Sequence, residues 1–206
     1  MSSSPKFIYL ASASPRRRAL LEQIAVPCKP LAVAIDESCI PGESAAQHVL
    51  RLAQAKAMAG FNTLSLADAP VLGADTVVVT EAGEILGKPR DRDHFMAMMA
   101  LLSGDWHQVM SAVAVATPTA IHTTTVTTRV LFRSLDQHEL ARYWMSGEPI
   151  DKAGGYAIQG LAALFVARIE GSYSAVVGLP LSETQSLLAR CGMKLWPALD
   201  RSDPQC

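Results

Sequence analysis

An α/β fold on a mixed sheet is what this sequence predicts, on three observations. The chain opens on a short apolar strand, a loop and a helix. Its middle holds two β-rich stretches joined by a turn, and helical patterns lie between and after the strands. Phe7-Ile8-Tyr9-Leu10-Ala11 reads as a buried strand. Ser14 stands at the N-cap and Pro15 at the first helical position, and Leu20, Leu21 and Ile24 form one face before Pro27. Ala32-Val33-Ala34-Ile35 is β-like and runs into Asp36-Glu37. Ser44 with Gln47 makes a capping box for a helix whose stripe is Val49, Leu52, Ala53 and Ala57 and whose end is at Gly60.

Val71-Leu72 and Val77-Val78-Val79 are strand-like around Gly73-Ala74-Asp75-Thr76, and Glu81 to Glu84 turns the chain into Ile85-Leu86. Asp91 caps a helix that points Phe95, Met98, Met99 and Leu102 inward. Trp106 to Ala116 and Thr123 to Phe132, separated by Thr117-Pro118-Thr119, form a hairpin or meander. Leu135 to Ser146 is a helix closed by Gly147, Leu164 to Ile169 a buried strand, and Pro180 starts a last helix that Gly192 ends. Residues 197–206 read as a loose tail.

Of 206 residues, 50% are hydrophobic, enough for a substantial core and too many for a disordered chain. No window approaches 18 consecutive apolar residues and the start lacks the layout of a signal peptide, so the expected location is the cytoplasm, away from membranes. The four cysteines lie far apart and the five histidines never recur at ligand spacing, which argues against zinc. With 18 basic against 19 acidic residues and no basic run beyond Arg16-Arg17-Arg18, broad nucleic-acid binding is not indicated. A small anion held by local cations remains open.

Candidate chemistry sits at several places. The loop Ser12 to Arg18 leads into a helix N-terminus, whose free N–H groups and partial positive charge suit an anion; the alternative is a plain cap with solvated arginines. Asp75 interrupts an apolar run, where a carboxylate needs a partner, a metal or a strand-end hydrogen bond. Lys56 shares the face of Val49 and Leu52, so its ammonium either snorkels to water or reaches an anion. Lys88, in Gly87-Lys88-Pro89-Arg90, is either a cation presented on a constrained turn after a strand or part of a plain surface turn. Asp36-Glu37 either offers oxygen ligands to magnesium or faces solvent. In Gly154 to Gly160 the glycines either make a tight turn or let backbone approach a ligand, with Gln159 offering an amide to a base edge. No Walker A motif and no nucleophile elbow is present. Cations with carboxylates point to phosphoryl or nucleotidyl chemistry.

Together, Leu10-Ala11-Ser12-Ala13-Ser14-Pro15-Arg16-Arg17, Gly73-Ala74-Asp75-Thr76-Val77, Gly87-Lys88-Pro89-Arg90-Asp91 and the segment Gly155 to Gly160 resemble the Maf (septum-formation-inhibitor-like) nucleotide pyrophosphatases, in matching order over roughly residues 6–192. The resemblance implies an elongated, two-lobed α/β fold akin to the inosine-triphosphate pyrophosphatases. It implies one domain over 1–206, with a core of about 6–192 and a tail of 193–206, and a homodimer. It also implies hydrolysis of a nucleoside triphosphate to the monophosphate and pyrophosphate, with Asp75 as the proton acceptor and Ser12, Arg16, Arg17, Lys56 and Lys88 on the triphosphate. Glu37 and Asp75 would bind a divalent cation, Mg or Mn. Tyr156-Ala157-Ile158-Gln159-Gly160 is similar to the pattern of the branch acting on dTTP and UTP, in which Arg16, Thr76 and Gln159 bear on substrate choice; CTP or modified pyrimidine nucleotides are further candidates. The alternatives are a pyrophosphatase for 7-methyl-GTP or another modified nucleotide, and a non-catalytic, nucleotide-binding regulator of cell division.

Overall fold

The computed structural model describes residues 5–65 and 68–195, so the expected tail over 197–206 lies outside the described residues. The elements in order are β1 (Ile8–Leu10), α1 (Pro15–Gln23), β2 (Cys28–Pro30), α2 (Ala45–Asn62), β3 (Val71–Thr80), β4 (Ile85–Leu86), α3 (Arg92–Leu102), β5 (Trp106–Ala116), β6 (Ile121–Phe132), α4 (Gln137–Met145), β7 (Val166–Glu170), α5 (Tyr173–Val177) and α6 (Leu181–Arg190). Seven strands form one sheet in the order β2-β1-β3-β5-β6-β7, with β4 also paired to β3. β1 runs parallel to β2 and β3, and the remaining pairs are antiparallel, so the α/β fold with a mixed sheet is as expected. No helix among the described residues is long and apolar enough to cross a membrane.

Strand alternation divides the sheet into two faces. Val77 and Val79 of β3, with Ala112, Ala114 and Ala116 of β5, meet Val49, Ala53 and Ala57 of α2. The opposite face carries Leu72, Ala74, Val78, Val109, Val113 and Val115, covered by side chains of α1, α3, α4, α5 and α6. The capping box of α2 is present in full: the Ser44 hydroxyl accepts the Gln47 N–H and the Gln47 side chain returns to the Ser44 backbone. Asp91 accepts the His94 N–H at the start of α3, and Phe95, Met98, Met99 and Leu102 are all buried.

Three expectations are corrected. Ala32 to Ile35 is not a strand. The segment Cys28 to Pro30 pairs with β1 instead, and the ladder stops at the bond from the Leu31 N–H to the Leu10 carbonyl, because β1 has ended and its chain turns away. The stretches on either side of Gly73 to Thr76 are one continuous strand of 10 residues. Leu164 and Phe165 belong to a 3-10 turn, and β7, which starts at Val166, is an edge strand with Ala167 and Arg168 exposed.

Gly73 sets the separation of α2 from the sheet. A Cβ at this position would lie 2.4 Å from the Ala53 carbonyl oxygen and 2.5 Å from the Ala57 nitrogen, so helix backbone rests directly on strand backbone. Gly73→Ala forces these apart, an overpacking that typically destabilises by about 1–3 kcal/mol, or roughly 2–12 °C in Tm for a chain of this size. Thermal unfolding of the variant checks this, and an unchanged midpoint would show that α2 can yield freely.

His107 is fully buried, its Nε2 at 2.8 Å from the Tyr156 hydroxyl and its ring edge-on to Phe132 and Tyr156. Burial lowers its pKa from 6.5 to about 4, with the Asp105 charge opposing the fall. Since the folded value is the lower one, the unfolded chain takes up the proton first. The stability contributed by the neutral ring is complete above pH 6.5 and is lost as pH falls from 6.5 through 4, by at most about 3 kcal/mol. Urea unfolding between pH 7 and 4 should show this slope in the parent and a flatter one in His107→Phe; equal slopes would remove His107 from the effect.

Candidate functional site

On one edge of β3, β1 pairs only as far as Leu72 and β4 begins only at Val78. Residues 73–77 between them have no strand on that edge among the described residues. β5 continues unbroken along the other edge. The loop leaving β1 and the turn leaving β4 border this gap, which is where Asp75 and Thr76 stand. Alternation sends Asp75 to the face of α2 and Thr76 to the opposite face.

On the first face Asp75, 8% exposed, is one member of a charged trio. Lys56 Nζ donates to Asp75 Oδ1 at 2.8 Å and lies 2.6 Å from Glu37 Oε1. The close seat of α2 at Gly73 puts Lys56 there, since Ala53 and Ala57 of the same helix touch the strand two residues before Asp75. Burial raises the Glu37 carboxyl, but the hydrogen bond and charge of Lys56, with the charges of Lys88 and Arg17, outweigh it and hold the group below its ordinary value. The loop that carries Glu37 is tied down by Glu43, whose carboxylate takes Arg51 at 2.6 and 2.7 Å and His48 at 3.1 Å. The Arg51 bond leads the causes that take the Glu43 carboxyl down to about 2.

On the second face Arg17 is the organiser. Its Nε donates to the Gly178 carbonyl at 2.9 Å, one terminal nitrogen to Ser12 Oγ at 3.1 Å and the other to Thr76 Oγ1 at 3.3 Å. Burial lowers its pKa; the charges of Asp75 and Glu37 oppose that and the charge of Arg16 adds to it. Thr76 Oγ1 lies 2.8 Å from Ser111 Oγ, and Ser111 donates to the Ala175 carbonyl at 2.6 Å. Each hydroxyl has one proton, so donation runs from Arg17 to Thr76, on to Ser111 and to the carbonyl.

Ser14 occupies the N-cap of α1, yet its side chain makes no cap bond. Its N–H instead donates to Ser12 Oγ at 3.2 Å. The first turn of α1 is thus left without an N-cap side-chain acceptor, as an anion site at a helix N-terminus requires. Arg16 is half-buried and its side chain makes no hydrogen bond among the described residues; its charge is felt at Arg17 and Asp151.

Lys88 is exposed on the turn after β4, next to Gly87, whose carbonyl accepts the Gly154 N–H at 2.9 Å. That bond attaches the segment holding Gln159 to the rim of the gap. Gln159 is exposed and makes no hydrogen bond among the described residues. The glycines around it are closely packed. A Cβ at Gly154 would strike Val78 at 2.6 Å, one at Gly155 would lie 3.0 Å from Phe95, and one at Gly160 would lie 2.1 Å from Glu148.

Among the described residues no three His, Cys, Asp or Glu side chains group as metal ligands. The oxygen donors at the gap are the two carboxylates that share Lys56. A pair of carboxylates completed by substrate phosphates is a common arrangement for Mg, so this donor set fits a cation that arrives with a phosphorylated ligand better than a resident one.

Ser111 and Gly178 were not anticipated. Ser111 could have been found by the signal that marked Asp75, a polar residue inside an apolar strand, whereas Gly178 contributes only a carbonyl and leaves no trace in the sequence.

The sequence profile of the family described as "Maf-like protein" matches residues 7–191. The chain is similar to a dTTP/UTP pyrophosphatase of Hahella chejuensis, 50% identical over 190 residues, which is 92% of this chain and 94% of the relative. It is 52% identical over 182 residues to a dTTP/UTP pyrophosphatase of Escherichia coli O157:H7, covering 88% and 91% of the two chains. A third protein of that name, from Saccharophagus degradans, is 50% identical over 194 residues, 93% and 92% of the two. With a family match spanning nearly all of the described residues and relatives at half identity along most of their length, this chain belongs to the Maf-like protein family.

Proposed function

We propose that the chain hydrolyses dTTP and UTP to the nucleoside monophosphate and pyrophosphate. The relatives that carry this name support the substrate class. The observation that carries the chemistry is the placement of Asp75 in a gap of the sheet bordered by a helix N-terminus and by Arg16, Arg17, Lys56 and Lys88.

The triphosphate lies along the gap. The Ser12 hydroxyl, which accepts from Arg17 and Ser14, keeps its own proton for a phosphate oxygen. Arg17 spends three of its donors on protein acceptors and keeps two, while Arg16 keeps all of its own. Lys56 gives two N–H bonds to carboxylates and has a third to give. Glu37 and Asp75 would hold Mg or Mn brought with the nucleotide, and that cation would offset phosphate charge and polarise the α-phosphorus. Asp75 Oδ1 is held by Lys56, and Oδ2 is the oxygen that takes a proton from water. As the water oxygen bonds to the α-phosphorus, the bond from that phosphorus to the bridging oxygen breaks and pyrophosphate leaves. Thr76, Arg16 and Gln159 act on substrate choice, Gln159 through an amide complementary to the imide edge of uracil or thymine. A cytoplasmic homodimer belongs to the same reading.

Asp75→Asn should lower kcat for dTTP and UTP by roughly 10²- to 10⁴-fold while leaving the unfolding midpoint nearly unchanged. Pyrophosphate release with Mg present measures it, and near-parental turnover would take Asp75 out of the reaction. A panel of dTTP, UTP, CTP, GTP and 7-methyl-GTP tests the substrate class. dTTP and UTP should be turned over best, and Gln159→Ala should narrow their lead by about tenfold, the worth of a lost specific hydrogen bond. Preference for 7-methyl-GTP, or no release from any nucleotide, would replace this reading by another substrate or by a binding protein.

A further inference from the structure

Gln159 is exposed, yet its backbone is firmly held. The Gly160 N–H donates to the Ala157 carbonyl at 2.9 Å, closing a turn around Ile158 and Gln159. Tyr156 and Ile158 are buried on either side of Ala157. The rest of the hold comes from one carboxylate and one hydroxyl. Tyr143, on α4, accepts the Ala157 N–H at 3.2 Å and donates its own proton to Glu148 Oε1 at 2.8 Å. Glu148 also accepts the Leu161 N–H at 3.0 Å and the Ala162 N–H at 3.3 Å. One carboxylate therefore fixes the chain on both sides of Gln159, directly after it and through Tyr143 before it. Gly160 fits this arrangement, since a Cβ there would meet Glu148 Oε2 at 2.1 Å. Bonds to an ionised acceptor are shorter and stronger than neutral ones, so a single group can hold a turn this short.

We infer that Glu148 is a positioning residue for base selection, holding the Ala157 to Gly160 turn so that the Gln159 amide meets the base at a fixed angle. Tyr143 relays the hold. The inference rests on the proposed role of Gln159, and the functional reading above assigns nothing to Glu148. A glutamine that had to be ordered by the ligand would give up part of its hydrogen bond as side-chain and loop entropy, and a preset turn avoids that loss.

The test measures kcat and KM of the full chain for UTP, dTTP and GTP in Gln159→Ala, Glu148→Ala, Glu148→Gln, Tyr143→Phe and the double variant Gln159→Ala with Glu148→Ala. Glu148→Ala should lower the ratio of kcat/KM for UTP over GTP by about tenfold, mainly through KM for UTP. Glu148→Gln should recover part of the ratio, because an amide oxygen still accepts an N–H. The double variant should be no less selective than Gln159→Ala, since Glu148 acts through Gln159. A Glu148→Ala effect that scales all nucleotides equally, or a double variant whose loss is the product of the two singles, would overturn the inference. Should Glu148→Ala not fold, Tyr143→Phe decides alone: a fallen ratio supports the relay and an unchanged one rejects it. A parent enzyme without selectivity, or a Gln159→Ala variant that keeps it, brings down the Gln159 reading and this inference with it. If Gln159→Ala loses selectivity while the Glu148 and Tyr143 variants keep it, only the inference is lost.

Discussion

The backbone contact between α2 and β3 at Gly73 is the constraint on which the site depends. Helices normally stand off a sheet by the length of their side chains, and here glycine on the strand and alanines on the helix remove that spacer. Lys56 is on the same helix, between Ala53 and Ala57, and at this separation its side chain spans to Asp75 and Glu37 with only 12% of its surface left exposed. A buried ammonium and a buried carboxylate are each costly alone, so each needs a partner. Removing Lys56 would leave Asp75 uncompensated, whereas neutralising Asp75 leaves Lys56 paired with Glu37, so the lysine is the member on which the helix–sheet interface depends.

The gap in the edge of β3 does the rest. Because β1 stops at Leu72 and β4 starts at Val78, a strand that is central elsewhere becomes an edge at the point where it carries Asp75 and Thr76. Strand alternation then gives the two residues different partners. Asp75 meets cation and carboxylate beside α2, and Thr76 joins a chain of hydroxyls that ends on the Ala175 carbonyl. Arg17 anchors that chain and the Ser12 loop together, so the loop leaving β1 is braced against β3, β5 and the segment after α5. Arg16, without such bonds, is the more adaptable of the two arginines.

Much of this was legible in the amino-acid sequence, for reasons that differ by residue. The capping box at Ser44, the Asp91 cap and the buried face of α3 follow from local rules and are found in place. β2 was not legible, because Cys28-Lys29-Pro30 has neither alternation nor an apolar run and is a strand only by virtue of β1 beside it. Ala32 to Ile35 has the pattern of a strand and no partner to pair with. α5, of 5 residues, is too short to show a helical period. At the site, Lys56 was legible as a cation on an apolar face, but a reading that offered water or an anion could not show that two carboxylates of this chain already hold it. Ser14 was legible as an N-cap position, while the missing side-chain bond that leaves the helix N-terminus open is a property of the fold.

In sequence the glycines of the segment 154–160 leave two readings open, a tight turn or backbone that approaches a ligand. In the fold, each is small because something of the protein itself is close: Val78, Phe95 and the Glu148 carboxylate. The consequence runs opposite to flexibility. Gly154 and Gly155 adopt positive φ values of 69° and 71°, which other residues rarely sustain, and side chains of the core fill the space where a Cβ would sit. Conformational freedom in the unfolded chain is thus exchanged for a turn with little freedom in the folded one, and the segment that carries Gln159 starts from it. An exposed polar side chain on a rigid base can discriminate between hydrogen-bonding edges that a mobile loop would accommodate alike.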